Sequence, residues 1–162
     1  MANHIVIQTR DAIIARLQAA VTAVSSRVYK RDSEPTDKSL CPYIVVEVGS
    51  GSALAEDTAH NGGTDPTLPN VMQDLRASYT IRCVVQQDSD AEAAAFLIFS
   101  AVCTALLGTV AAKTLSGTVV DVHGGSFDVE QDANVELETY AVIAPFDVWI
   151  RYLQRTPDSF NY

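Results

Sequence analysis

The chain has 162 residues, a hydrophobic fraction of 48%, 19% charged residues and a net charge of −9. That length holds one domain with one core, and the composition excludes a disordered chain, which would combine low hydrophobicity with high charge. The acidic balance speaks against a nucleic-acid or anionic-lipid binder, because phosphates are repelled.

The charge is unevenly spread. Residues 1–48 carry six basic and five acidic side chains, whereas residues 49–162 carry five basic and fifteen acidic ones. Solubility accounts for such a surface; so does a wall that must not hold DNA passing close by. The opening Met1-Ala-Asn-His4 lacks the basic flank and apolar stretch of a secretion signal, so synthesis in the cytoplasm is expected. Cys41, Cys83 and Cys103 form no C-x-x-C pair, and an odd count argues against a disulfide framework.

The first predicted element is a helix. Ile13, Ile14, Leu17, Ala20, Val21 and Val24 fall on one stripe at helical spacing. Thr9 is a suitable N-cap, with an earlier start near Asn3 as the alternative, and Ser25-Ser26 ends the helix. A short strand is expected over 27–31, and a polar stretch with Pro35 follows. Pro42 introduces Tyr43-Ile-Val-Val-Glu-Val48, a β-branched run suited to a buried strand. Residues 49–71 hold Gly49, Gly51, Gly62, Gly63, Pro66 and Pro69 without any period, and read as a long loop or arm between two strands.

Leu75, Ala77, Tyr79, Ile81, Cys83 and Val85 then alternate with Arg76, Ser78, Thr80 and Arg82, the pattern of a strand with one face buried. Ser89 and Glu92 have the spacing of a capping box for a second helix over 91–107, which is apolar almost all round and ends at Gly108. At 17 residues, with Ser100, Cys103 and Thr104 inside it, this reads as a core helix and not a membrane span. Two strands complete the chain. One covers 118–122, with a continuation past Gly124-Gly125 to Val129; the other covers 136–152. In the latter, Leu137, Ala141 and Ile143 occupy odd positions while Phe146, Val148, Ile150 and Tyr152 occupy even ones, so a bulge or bend is expected at Pro145. Residues 153–162 read as a loose tail. The order predicts a single α+β domain, with two helices packed on a mainly antiparallel twisted sheet and a long polar arm between two strands.

Chemistry is sparse. Gly49-Ser-Gly51 follows a strand, but Leu54 stands at the third glycine position and no apolar helix follows, so a dinucleotide loop is not formed. No G-K-[S/T] and no G-x-S-x-G occurs. His4, His60 and His123 pair at no metal-ligand spacing; His60 with Asp57 and Asp65 is a conceivable site on a flexible loop, and a solvated histidine is the simpler reading. Asp128, Glu130, Asp132, Glu136 and Glu138 crowd the later strands. A paired-carboxylate hydrolase is one reading. The other is the solvated face of a hairpin, since alternation puts the first three on one side of their strand. No catalytic residue, cofactor or metal site is therefore assigned.

The order of elements resembles the tail-terminator (minor tail protein U-like) family of long-tailed bacteriophages. Three stretches carry the likeness: Thr9-Arg-Asp-Ala-Ile-Ile-Ala-Arg-Leu17 as the opening helix, Cys41-Pro-Tyr-Ile-Val-Val-Glu-Val-Gly49 as a strand leading into a polar arm, and Glu138-Thr-Tyr140 through Tyr152 as the closing strand. The resemblance implies a virion structural protein and not an enzyme. It implies a homohexameric ring at the head-proximal end of the tail, assembled in the host cytoplasm, that caps the tail tube and stops its polymerisation. Its partners would be the tail tube protein and a head-tail connector or neck protein. DNA would pass through the lumen without specific binding, and no membrane is involved. On that reading Asp128, Glu130, Asp132, Glu136 and Glu138 are candidates for the lumen charge, and Arg76, Arg82, Arg151 and Arg155 for pairing across subunits. Two alternatives stand beside it: another head-tail joining protein, and a small hydrolase using the hairpin carboxylates.

Overall fold

The computed structural model describes residues 4–53, 70–87, 89–124, 126–132 and 137–155. It is an α+β domain in which helices α1 (Ile5–Ala20) and α2 (Ala91–Leu107) pack on one face of a six-stranded mixed sheet. The strands are β1 (Val28–Lys30), β2 (Tyr43–Ala53), β3 (Asn70–Gln87), β4 (Asp121–Gly124), β5 (Asp128–Asp132) and β6 (Glu138–Arg155), and a one-turn helix, α3 (Val110–Lys113), follows α2. Across the sheet the order is β1-β2-β3-β6-β4, with β5 also pairing with β6. Among the described residues only β1–β2 is parallel.

The core lies between helices and sheet. The stripe foreseen on α1 is fully buried at Ile13 and Leu17, with Val21 and Val24 just beyond the helix. From the sheet, Ile44 and Val46 of β2, Ala77, Tyr79, Ile81, Cys83 and Val85 of β3, and Val142, Ala144, Phe146, Val148 and Ile150 of β6 meet it. The Tyr79 hydroxyl donates to the Val6 carbonyl at 2.9 Å, joining β3 to the first turn of α1. Arg16 donates from Nε to the Ala105 carbonyl at 3.1 Å, satisfying one of the orphan acceptors in the last turn of α2.

Helix boundaries differ in detail from expectation. α1 begins at Ile5, not Thr9, and His4 caps it by accepting the Val6 amide on Nδ1 at 3.3 Å. The Ser89–Glu92 capping box does not form. Asp90 is the N-cap residue, in the left-handed conformation and without a side-chain cap, which places Ser89 outside the helix and Glu92 one position short. Gly108 closes α2 with right-handed backbone, and a Cβ there would stand 2.5 Å from the Thr104 carbonyl. Cover on the second side of α2 is partial: Phe96 and Phe99 pack against Phe127, but Leu97 is 73% exposed.

Strand boundaries correct four expectations. The arm does not start at Gly49 or end at Val71: β2 continues to Ala53 and β3 starts at Asn70, so residues 49–53 and 70–71 are strand, while 54–69 lie outside the described residues. The tail does not start at 153, because β6 continues to Arg155. Residues 118–120 precede β4, and β4 and β5 lie one after the other along β6 instead of forming one continuous strand. The alternation of β6 does not change phase at Pro145. Its even positions face the helices from Tyr140 to Ile150, and its register with β3 runs unbroken from Gln87↔Glu138 to Asn70↔Arg155. Pro145 fits because it falls in the gap between β4, which pairs from Phe146, and β5, which pairs up to Ile143. A residue lacking an N–H is tolerated where the ladder on one side is interrupted. The sheet's bulge is elsewhere, between Val48 and Gly51 on β2. There a Cβ on Gly49 would come within 3.0 Å of the Ser78 carbonyl.

Candidate functional site

The helices leave the opposite face of the sheet to other residues. Directly paired residues share a face, so the register puts Asp74 with Arg151, Ser52 with Arg76, Trp149 and Asp121, and Ser78 with Asp147 and His123. Further along come Val45 with Arg82, Ile143 and Asp128, then Tyr43 with Val84, Ala141 and Glu130, and finally Gln86 with Thr139 and Asp132.

This face has two halves. Over the first, the segment between β1 and β2 folds across a small second core of Tyr43, Val45, Val84 and Ala141, with Tyr29 and Cys41 against it. Glu34 anchors that segment: it accepts the Tyr43 hydroxyl at 3.3 Å and pairs with Arg82 at 3.1 Å. Arg31 pairs with Glu47 at 3.1 Å. The second half is a shallow open cleft lined by Arg76, His123, Asp147 and Trp149, extending to Ser50, Ser52 and Ser78. The Trp149 Nε1 is buried and has no hydrogen-bond partner among the described residues. Arg76 forms a close ion pair with Asp147, and His123 lies 3.1 Å from Asp121. At its end Arg151 grips Asp74 through two bonds of 2.7 and 2.8 Å, with the carboxylate side chain only 3% exposed, and stacks over Trp149 at 5.7 Å.

Three of the four candidate interface arginines thus have acidic partners in their own chain: Arg76 with Asp147, Arg151 with Asp74, and Arg82 with Glu34 and, at 4.0 Å, Glu130. The Arg155 side chain lies outside the described residues. Of the candidate lumen carboxylates, Asp128, Glu130 and Asp132 stand exposed on the free face of β5, on one side as the alternation required. Glu138 points to the helix side, where it accepts Gln131 Nε2 at 2.7 Å, and Glu136 lies outside the described residues. Asp74, Glu34, Asp147 and Trp149 were not singled out in the sequence, and His123 was weighed there only as a histidine without a ligand partner. The i, i+2 spacing of Asp74 with Arg76, and of Asp147, Trp149 and Arg151, was the available signal, since it puts each set on one face.

These groups assemble no recognisable catalyst. Glu130 and Asp132 line one wall of a shallow groove whose other wall carries Arg82, Val84 and Gln86. Glycoside hydrolysis needs carboxyl groups on both sides of the scissile bond. The Cys83 thiol is buried against the helices, and burial, with Cys103 nearby, pushes it up to about 12, which makes it a poor nucleophile. Gly49–Gly51 lies within the bulged β2, not at a strand-to-helix turn. His60, Asp57 and Asp65 lie outside the described residues. Among the described residues no group of three or more His, Cys, Asp and Glu could hold a metal ion, and no helix is long and apolar enough to cross a membrane.

No family model and no curated protein matches the sequence. A solved structure does match the fold. A chain from the virion of a native gene transfer agent particle superposes with a TM-score of 0.56 over 88% of this chain and 94% of that chain, at 15% sequence identity. At that identity the likeness is one of fold, and it extends over nearly the whole of both chains.

Proposed function

We propose that the chain is a structural subunit of a phage-like virion, a tail terminator whose ring caps the tail tube, stops its polymerisation and offers the surface to which the head attaches. The observation that carries this reading is the near full-length fold likeness to a chain of a virion particle. The acidic side chains exposed along β5 suit a ring through which DNA slides, because carboxylates repel phosphates that lysines and arginines would hold. The subunit acts by binding and not by turnover, in keeping with a free face whose charged groups are spent on one another.

Tube assembly tests the reading. The cognate tube protein polymerised with this chain should give tubes of limited length with a ring at one end, and without it tubes that run on. Tubes equally long in both cases, with no chain on their ends, would overturn the proposal. Attachment to heads or connectors but not to tubes would move the protein to the neck.

A further inference from the structure

The sheet ends in two unlike edges. Among the described residues no strand pairs with the outer edge of β1 at one side, nor with those of β4 and β5 at the other. At the first edge lie Lys30, which is exposed, and Arg31, whose side chain is 57% exposed even while it touches Glu47 and Glu34. At the second, all of β5 is exposed, and Asp128, Glu130 and Asp132 project from alternate positions.

We propose that copies of this chain join head to tail, the β1 edge of one against the β5 edge of the next. This rests on the ring reading above and names the contact that would build it. The strand directions allow it. β1 runs parallel to β2, β2 antiparallel to β3, β3 antiparallel to β6 and β6 antiparallel to β5, so β1 and β5 run in opposite senses. A copy placed beside the first in the same orientation therefore brings β1 to β5 antiparallel, with the helices of both on one side. Backbone pairing supplies direction, and Arg31, which sits beside Glu47 on the same face as Asp128 and Glu130, supplies selectivity by charge, while Lys30 on the helix side adds to the basic edge.

Three residues of β1 are a short ladder, and Val28 already uses its N–H on the Ser26 carbonyl and its carbonyl on Gln18, so apolar contact must add to it. Phe127 and Val129 are each 48% exposed beside β5. Val129 faces the helix side by its register with Val142, and Phe127 lies there against Phe96 and Phe99. At the other edge α1 flanks β1 on that same side, where Gln18 Nε2 donates to the Val28 carbonyl at 3.3 Å. The contact uses different surfaces on its two partners, and such a contact closes into a ring when the rotation per subunit allows. The twist of a sheet is one source of that rotation.

A charge exchange tests it. One full-length variant carries Asp128→Lys and Glu130→Lys, giving two basic edges; the other carries Lys30→Glu and Arg31→Glu, giving two acidic ones. Sedimentation should show each variant alone as a monomer, still folded with a cooperative melting transition, under conditions where the wild type is multimeric on its own or on tube ends. An equimolar mixture should regain the multimer, as alternating copies. Variants that multimerise alone as the wild type does would overturn the edge contact and leave the ring reading standing. A mixture that stays monomeric would overturn the edge contact too. A wild type monomeric both in solution and with tubes would overturn the ring reading and this inference with it.

Discussion

The two faces of the sheet are built from the same strands and solve different problems. Toward the helices, odd positions of β3 and even positions of β6 present Tyr79, Ile81, Cys83, Val142, Phe146 and Val148, which are buried and make one continuous core. Toward the other side, the intervening positions present Asp74, Arg76, Arg82, Asp147 and Arg151, which neutralise one another or pair with Glu34. The helix face draws its stability from apolar area removed from water. The free face contributes far less, since exposed ion pairs are worth about 0–1 kcal/mol each. A domain so arranged can vary its charged face at little cost to its fold, provided the few buried charges stay paired.

Substitutions graded across the two faces sharpen that contrast. The largest effect is expected for Ile98→Asp on α2, where 4% exposure leaves the new carboxylate without water or a cation. An unpaired buried charge costs several kcal/mol or more against a total stability of roughly 5–15 kcal/mol. The variant should lack a cooperative melting transition, and a soluble protein that melts as the wild type does would show that the helix face is not the core.

Next comes Arg151→Met on the free face. It strips the buried Asp74 of its two-bond partner and should lower stability by about 3 kcal/mol in urea unfolding, the lower end for a broken buried pair because the arginine is itself partly exposed. A loss under about 1 kcal/mol would place this pair with the ordinary surface ones. Tyr79→Phe removes only the bond to the Val6 carbonyl and should cost about 1 kcal/mol. Smallest is Arg76→Ala, which breaks the exposed pair with Asp147 and should change the unfolding free energy by less than about 1 kcal/mol. A larger loss than for Arg151→Met would reverse the ranking of buried and exposed pairs.

The helix face was legible in the sequence and the free face largely was not. Ile13, Leu17, Val21 and Val24 repeat at helical spacing because one stripe of α1 is buried, and Ala77 through Val85 alternate because one side of β3 is. β6 misled because both its sides carry apolar residues: Ala141 packs in the small second core while Val142 packs in the main one. The odd-numbered apolar residues then looked like a shift of phase at Pro145. The actual bulge was hidden in Gly49 and Ser50, whose composition reads as loop. The pairs Asp74–Arg151 and Arg76–Asp147 depend on which residues of β3 and β6 stand opposite, 77 and 71 positions apart in sequence, and spacing along one strand does not fix that. Edges are less legible still, since Lys30 and Glu130 become terminal only through the order of strands.

β3 and β6 outrun their neighbours. Among the described residues neither β2 nor β4 accompanies them beyond Leu75 and Ile150, and the ladder continues to Asn70↔Arg155 as a two-stranded ribbon. Mechanically this is a cantilever. A force applied across its far end produces its greatest bending moment at the root, where two strands give way to a wider and stiffer sheet. The Asp74–Arg151 clamp sits at that root, cross-bracing the two strands at the point of greatest leverage. Whatever the ribbon pushes against, the load enters the domain through a braced joint between its two central strands, and the helix-covered core behind it is spared the bending.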